Sequence, residues 1–228
     1  MPSLFVVGTD TDAGKTVLVT ALFAYCQKYA PNRSLALLKP IQSGSGDREL
    51  YQRLFKLSQT IDEINPLYFT APLAPPIAAA QEQRHVEIER AWTTYQSLTQ
   101  RYEWILVEGA GSLGSPLTGQ TTGADLAADW RLPIVIVVPV KLGAIGQVVA
   151  AVALAERSNL QILGIVRSCL VPCSDEEIEN WANQELIETL TGIQVLGTLS
   201  YLADSENLVA LTQAASNLDL ELLMPGLT

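Results

Sequence analysis

The chain is poor in positive charge, in histidine and in cysteine. Its 228 residues hold 14 Lys+Arg against 24 Asp+Glu, for a net charge of -10, with one histidine and three cysteines. So acidic a surface excludes a general binder of phosphate backbones, which needs a basic face, and no nucleic-acid partner is expected. Any anion must be held locally, by backbone amides and a few placed lysines. Cys26, Cys169 and Cys173 are odd in number, and His85 lies far from them in sequence. A Cys-x3-Cys pair without further ligands makes a weak zinc site, and ordinary thiols of a reducing cytoplasm are the simpler reading. Disorder is excluded too, because hydrophobic residues make up 48% and charged residues only 17%.

A leader is also missing from the pattern. Met1-Pro2-Ser3-Leu4-Phe5 has no basic n-region and runs directly into a strand-like segment. One stretch imitates a membrane span: across residues 132–155 the sole charge is Lys141. A lysine near the middle of a span costs about 2.5–3.5 kcal/mol, and Pro139, Gly143 and Gly146 lie beside it. The first half is β-branched and the second rich in alanine, which fits a buried strand followed by a core-facing helix. A soluble, cytoplasmic protein without membrane partners is the expectation.

What is present is alternation. Short apolar runs at 4–7, 35–38, 104–107, 134–138, 162–166 and, more weakly, 194–196 read as strands buried on both faces. Helix-like stretches lie at 15–28, 47–57, 87–100, 147–157, 175–190 and 206–215. Strands alternating with helices predict an α/β fold, a mostly parallel sheet with helices on both faces. The Pro-rich piece at 71–76 reads as a rigid loop, not a linker, so residues 1–228 are expected to form one domain.

In such folds ligands bind where strands end. The first exit, Gly8-Thr9-Asp10-Thr11-Asp12-Ala13-Gly14-Lys15-Thr16, stands between a strand and a helix. A glycine-bounded loop there wraps phosphate with backbone N–H groups, Lys15 reaches the β- and γ-phosphates, and Thr16 offers its hydroxyl to Mg²⁺. The loop is one residue longer than the standard P-loop. The second exit, Lys39-Pro40-Ile41-Gln42-Ser43-Gly44-Ser45-Gly46-Asp47, puts a lysine at a strand tip near that loop. Taken alone it is equally a solvated lysine and a flexible turn, with Asp47 capping a helix. The third, Val107-Glu108-Gly109-Ala110-Gly111-Ser112, ends a hydrophobic strand in an acid, where nucleotide hydrolases carry a magnesium-associated carboxylate; its glycines allow close backbone approach. The fourth, Pro139 to Gln147, offers Lys141 and a glycine-rich helix entrance to an anion. It reads equally as an ordinary strand-to-helix turn.

Together these loops resemble the dethiobiotin synthetase family, a P-loop NTPase-like group of ATP-dependent ring-closing ligases of biotin synthesis. The resemblance rests on Gly-Thr-Asp-Thr-x-x-Gly-Lys-Thr at 8–16, Lys39-Pro40 with Ser43-Gly44, Val107-Glu108-Gly109-Ala110-Gly111, and Lys141-Leu142-Gly143. It implies a homodimer that turns ATP, 7,8-diaminononanoate and CO2 into dethiobiotin, ADP and phosphate with Mg²⁺, through a carbamate and its phosphorylated anhydride. It assigns Lys15 and Lys39 to the transferring phosphoryl group and the carbamate, with Thr11 and Ser43 as hydrogen-bond partners of the substrate. Thr16, Asp47 and Glu108 become the metal ligands. Nucleotide contacts fall on Asp12, Ala13, Gly14, Lys15, Thr16 and Val17, and on Glu108, Gly109, Ala110 and Gly111. The turn Gly143, Ala144, Ile145 and Gly146, with Lys141, takes the substrate carboxylate from the partner subunit.

Two departures stand out. Ser168 replaces the asparagine often found at the adenine edge, and the later base-side loop reads Ser200-Tyr201-Leu202 where proline is common. Weak base discrimination is therefore expected, since a hydroxyl fixes fewer donors and acceptors than an amide. The roles of Asp10 and Asp12 stay open. A P-loop ATPase switch of the partitioning or metal-insertion type shares the sheet and the acid, but usually carries an extra lysine early in the loop. A glutamine-dependent amidoligase would need a glutaminase domain for which 228 residues leave no room.

Overall fold

The computed structural model describes residues 3–226, so the reading of Met1-Pro2 and of the terminal Leu227-Thr228 falls outside the described residues. In chain order the elements are β1 (Ser3–Gly8), α1 (Lys15–Tyr29), β2 (Leu35–Leu38), β3 (Ile41–Ser43), α2 (Asp47–Leu54), α3 (Ile61–Ile64), β4 (Leu67–Phe69), α4 (Pro75–Gln81), α5 (Ile88–Arg101), β5 (Trp104–Ser112), α6 (Gly123–Asp129), β6 (Ile134–Pro139), α7 (Ala144–Arg157), β7 (Ile162–Ser168), α8 (Asp175–Ala182), α9 (Gln184–Thr191), β8 (Val195–Leu199), α10 (Leu208–Ala215) and α11 (Leu220–Leu223).

Six strands form a parallel sheet in the order β2-β5-β1-β6-β7-β8. Each of the six predicted apolar runs is one of these strands. Their residues alternate between two cores. Phe5, Val7, Ile105, Val107, Ile134 and Ile136 face one side, against α5 to α9. Leu4, Val6, Leu37, Leu106, Val135 and Val137 face the other, against α1, α10 and α11. Each fully buried side chain of this size contributes about 1.5–3 kcal/mol relative to exposure, and the two-faced burial explains the unbroken apolar runs. The chain crosses β1 in passing from β5 to β6, so the loops after β1 and β5 open together at the carboxyl edge.

The structure departs from the sequence reading at several elements. Residues 175–190 are two helices, because Asn183 leaves the helical region (φ -54, ψ 124) and caps α9 by accepting from the Leu186 amide. The piece at 71–76 is only partly loop: Pro75 and Pro76 open α4, where a missing N–H costs nothing. Helix α7 starts at Ala144, three residues earlier than the reading from Gln147. Helix α2 ends at Leu54, and α10 starts at Leu208, so both are shorter than read. A second, two-stranded parallel sheet of β3 and β4 stands beyond the end of β2. With the loop before α4 it forms one wall of the cleft described next.

Candidate active site

The first loop leaves β1 with the Thr9 amide donating to the Val137 carbonyl at 2.9 Å, which ties it to the neighbouring strand. Gly14 ends the loop in the left-handed region (φ 94), where a Cβ would be strained and would also strike the Ser168 side chain. The loop thereby seats α1 with Lys15 and Thr16 at its first turn. Lys15 is buried, and its Nζ donates to the carbonyls of Asp10 (3.0 Å) and Thr11 (2.6 Å). Burial lowers its pKa from the ordinary lysine value, with the charge of Glu108 acting in the opposite direction. Ala13 is fully buried under the loop and Val17 packs toward the α1 core, whereas Asp12 is exposed at the cleft.

The second and third exits meet the first. Lys39 lies just past β2, 5% exposed, and its Nζ donates to Glu108 Oε1 at 2.9 Å and to Asp47 Oδ2. The Thr16 hydroxyl donates to the same Glu108 oxygen at 2.8 Å and lies 3.1 Å from Asp47 Oδ1. Burial acts to lower the Lys39 pKa, but the two carboxylates prevail and hold it above the ordinary lysine value. Asp47 is not the cap of α2: the Gly46 amide donates to Glu49 Oε2 at 2.9 Å, which leaves the Asp47 carboxylate facing the cleft.

Glu108 itself is 1% exposed. After it β5 departs from regular pairing: Val6 pairs with Glu108 and Gly8 with Ser112, so two β1 steps face four of β5. This irregularity carries Ala110 and Gly111 out toward the cleft, while Gly109 stays buried. Gly111 adopts φ 68, and a Cβ on Gly109 would stand 3.3 Å from the Phe5 ring. These two glycines thus meet a conformational and an internal packing demand, beside any ligand approach.

Two residues escaped the sequence reading. Tyr51, fully buried, donates its hydroxyl to Glu108 Oε2. Its one sequence signal is its place four residues after Asp47 on α2, hence on the same helix face. Asn65 donates to the Lys39 carbonyl at 2.7 Å and the Leu67 carbonyl at 3.2 Å, bracing the Lys39 backbone; nothing in local sequence marks it.

Lys15, Thr16, Lys39, Asp47 and Glu108 floor a cleft of about 530 Å³, also lined by Thr11, Ser43 and the 72–75 loop. The Ser43 hydroxyl oxygen is buried yet finds no partner among the described residues. Ser168 is buried behind Gly14, and its register partner Leu199 leads into exposed Ser200, Tyr201 and half-buried Leu202. The residues expected at the base therefore lie beside the P-loop, across the sheet from Lys39. The fourth exit is placed differently. Lys141 is exposed and donates to Asp10 Oδ2 at 2.9 Å, and Gly143 and Gly146 are exposed outside this cleft. Asp10 is thus engaged by Lys141 and by its own Thr11 amide.

Among the described residues no three His, Cys, Asp or Glu side chains gather. The donor set of two carboxylates and one hydroxyl is nonetheless suited to Mg²⁺, which takes one or two carboxylates and completes its shell with water and phosphate oxygens.

A strand, an anion-wrapping loop, a helix-borne Lys-Thr pair and an acid on the adjacent strand define a P-loop nucleotide-dependent enzyme. A family model described as an AAA domain matches residues 2–208. The ATP-dependent dethiobiotin synthetase BioD of Gloeothece citriformis is 47% identical over 225 residues, covering 99% of this chain and 100% of the relative. That of Crocosphaera subtropica is 49% identical over 223 residues, covering 98% and 100%. The Bacillus subtilis enzyme is 32% identical over 230 residues, covering 98% of each. The chain belongs to this AAA-domain family and, within it, to the ATP-dependent dethiobiotin synthetases. Among solved structures, the MinC:MinD complex of Aquifex aeolicus matches with a TM-score of 0.58 at 14% identity, covering 94% of this chain and 86% of that one. A ParA family ATPase from Chlorobium tepidum gives 0.54 at 15%, covering 99% and 93%. At such identities the likeness is one of fold alone.

Proposed function

We propose that the carboxyl edge of β1, β2 and β5 carries out the ring closure of 7,8-diaminononanoate with CO2 and ATP. The observation that carries this reading is the convergence of Lys39, Thr16, Asp47 and Glu108 on one point of a cleft that Lys15 also lines. A substrate amine takes up CO2 as a carbamate. A carbamate oxygen then attacks the γ-phosphorus and ADP leaves. The second amine attacks the carbamoyl carbon, expels phosphate and closes the ureido ring. Attack of one anion on another requires cations at the developing charge. Lys15 turns from the Asp10 and Thr11 carbonyls to the β- and γ-phosphates. Lys39 turns from its carboxylates to the carbamate and the transferring oxygens. Thr11 and the unpartnered Ser43 hydroxyl accept or donate hydrogen bonds at the substrate nitrogens.

Thr16, Asp47 and Glu108 would hold Mg²⁺, which would supply charge neutralisation to the phosphates. The P-loop amides from Asp12 to Val17 wrap the phosphates, Gly109 to Gly111 border them, and Ser168 with Ser200 to Leu202 border the base. The turn from Gly143 to Gly146, exposed at its two glycines, serves with Lys141 the cleft of a second copy of the chain and captures its substrate carboxylate. Support comes from its lying outside its own cleft while Leu142 is 87% exposed. Homodimeric, cytoplasmic enzyme is the state proposed; among the described residues no helix is long and apolar enough to cross a membrane.

The test is Mg²⁺-dependent phosphate release with and without diaminononanoate plus bicarbonate. Release that requires both additions is expected. Release indifferent to them would instead indicate a nucleotide switch.

A further inference from the structure

Glu108 divides its two oxygens. Oε1 faces the cleft, accepting from Lys39 at 2.9 Å and Thr16 at 2.8 Å. Oε2 points inward to the Tyr51 hydroxyl. Tyr51 is fully buried on α2, one turn beyond Asp47, so a single helix delivers one carboxylate to the cluster and braces the other. A phenol this deep is rare without a bonded partner, and the partner here is a carboxylate that is itself enclosed.

We infer that Tyr51 is a positioning residue: its hydroxyl fixes the Glu108 carboxylate so that Oε1 alone is presented to the cation of the bound nucleotide. The inference rests on the proposed role of Glu108. Two physical consequences follow from the geometry. The bond orients the carboxylate before any ligand arrives, which is how groups behind a ligating side chain act on affinity. It also keeps Glu108 compensated when Lys39 turns to substrate, since a buried carboxylate stripped of its partners is strongly destabilising. Tyr51 touches neither cleft nor substrate, so its influence is expected on cation binding and not on recognition of the diamine.

The experiment uses the full chain with ADP and Mn²⁺, reading bound Mn²⁺ by electron paramagnetic resonance. Tyr51→Phe keeps the ring and deletes the hydroxyl. A loss of roughly 10-fold or more in Mn²⁺ affinity is expected, with a parallel rise in the Mg²⁺ concentration for half-maximal turnover and an unchanged KM for diaminononanoate. Adding Tyr51→Phe to Glu108→Gln should cause little further loss, because the carboxylate it orients is gone. A folded Tyr51→Phe protein with native Mn²⁺ affinity overturns the inference. If Glu108→Gln also binds Mn²⁺ normally, the assignment of Glu108 has failed as well, and the two failures are thereby told apart. A second measurement avoids dependence on the folding of the Phe variant: 3-fluorotyrosine placed at position 51 retains the hydroxyl. Its ¹⁹F resonance should move when Mg²⁺ is added to the ADP complex, and a signal that stays put counts against the bond to a cation-side carboxylate.

Discussion

Lys15 and Lys39 line one cleft and are buried to nearly the same degree, 4% and 5% exposed, yet their surroundings are opposite. Lys15 is held by two neutral carbonyls, and burial lowers its pKa. Lys39 is held by two carboxylates, which raise its pKa against the pull of burial. The P-loop side of the cleft therefore has unspent positive charge and gains whenever phosphate arrives. The acidic side is already balanced, and on the proposed mechanism it exchanges one cation for another before Lys39 is free to act. At equal depth, then, the direction of the shift is set by what each lysine faces.

Removing either lysine breaks the contrast most severely. Lys15→Ala and Lys39→Ala are each expected to lower kcat by about 10²–10³-fold or more, the scale for losing a group that stabilises transferring charge. Near-native ADP formation by purified Lys39→Ala would sink its assignment.

Stability separates the two variants. Lys39→Ala leaves Glu108 and Asp47 facing each other without their ammonium, a loss of up to about 3–5 kcal/mol for a broken buried pair. Its urea midpoint should fall, and Mg²⁺ should restore part of the difference. Lys15→Ala removes an incompletely compensated charge and should unfold near the native midpoint. Equal losses in both would show that carbonyls and carboxylates hold a buried ammonium alike.

The helix that carries Asp47 has its own acid-sensitive anchor. Burial acts to raise the Glu49 carboxyl, but hydrogen bonds from Arg48, the Gly46 amide and Gln42 prevail and hold it at about 2, below the ordinary 4.5. A depressed carboxyl contributes stability that is complete above 4.5 and disappears as pH falls through about 2. Glu49→Gln should flatten the acid limb of a urea-midpoint titration in that window, modestly, since Glu49 is partly exposed. An unchanged limb would assign the capping to other groups.

The smallest expected effect concerns the base. With Ser168 in place of a fixed amide, ATP, CTP and GTP at equal concentrations should support turnover within about tenfold of one another, the reach of one to two kcal/mol of contacts. A strict requirement for ATP would mean that backbone groups beside Leu199 do the reading.

Legibility followed physical locality. The six strands of the main sheet could be read because parallel strands buried on both faces need continuous apolar residues. The P-loop could be read because its glycine spacing and Lys-Thr pair are local. The β3 and β4 strands could not, being three residues each and defined only by each other. Asn183 is not legible as a break, because a capping residue between two amphipathic helices looks like one more polar helix position. Pro75 reads as loop from its proline-rich neighbours, although proline is at home in a first turn. Tyr51 and Asn65 stayed hidden because their partners, Glu108 and the Lys39 carbonyl, lie 57 and 26 residues away in sequence.

The smaller sheet has a consequence for how such an enzyme can be remodelled. Ser43 and the 72–75 loop belong to a wall hung on β3 and β4, whereas Glu108 stands on the six-stranded sheet and Lys15 and Thr16 on the helix α1 that follows β1. The seam between these two bodies passes through the cleft. On the proposed placement of the diamine, substitutions at the start of α4 would reshape its room without re-registering β1 and β5. On the proposed roles, substrate range is addressed with least disturbance of phosphoryl transfer from the start of α4, because β3 is flanked by Lys39 and Asp47 and β4 shares Asn65 with the Lys39 carbonyl.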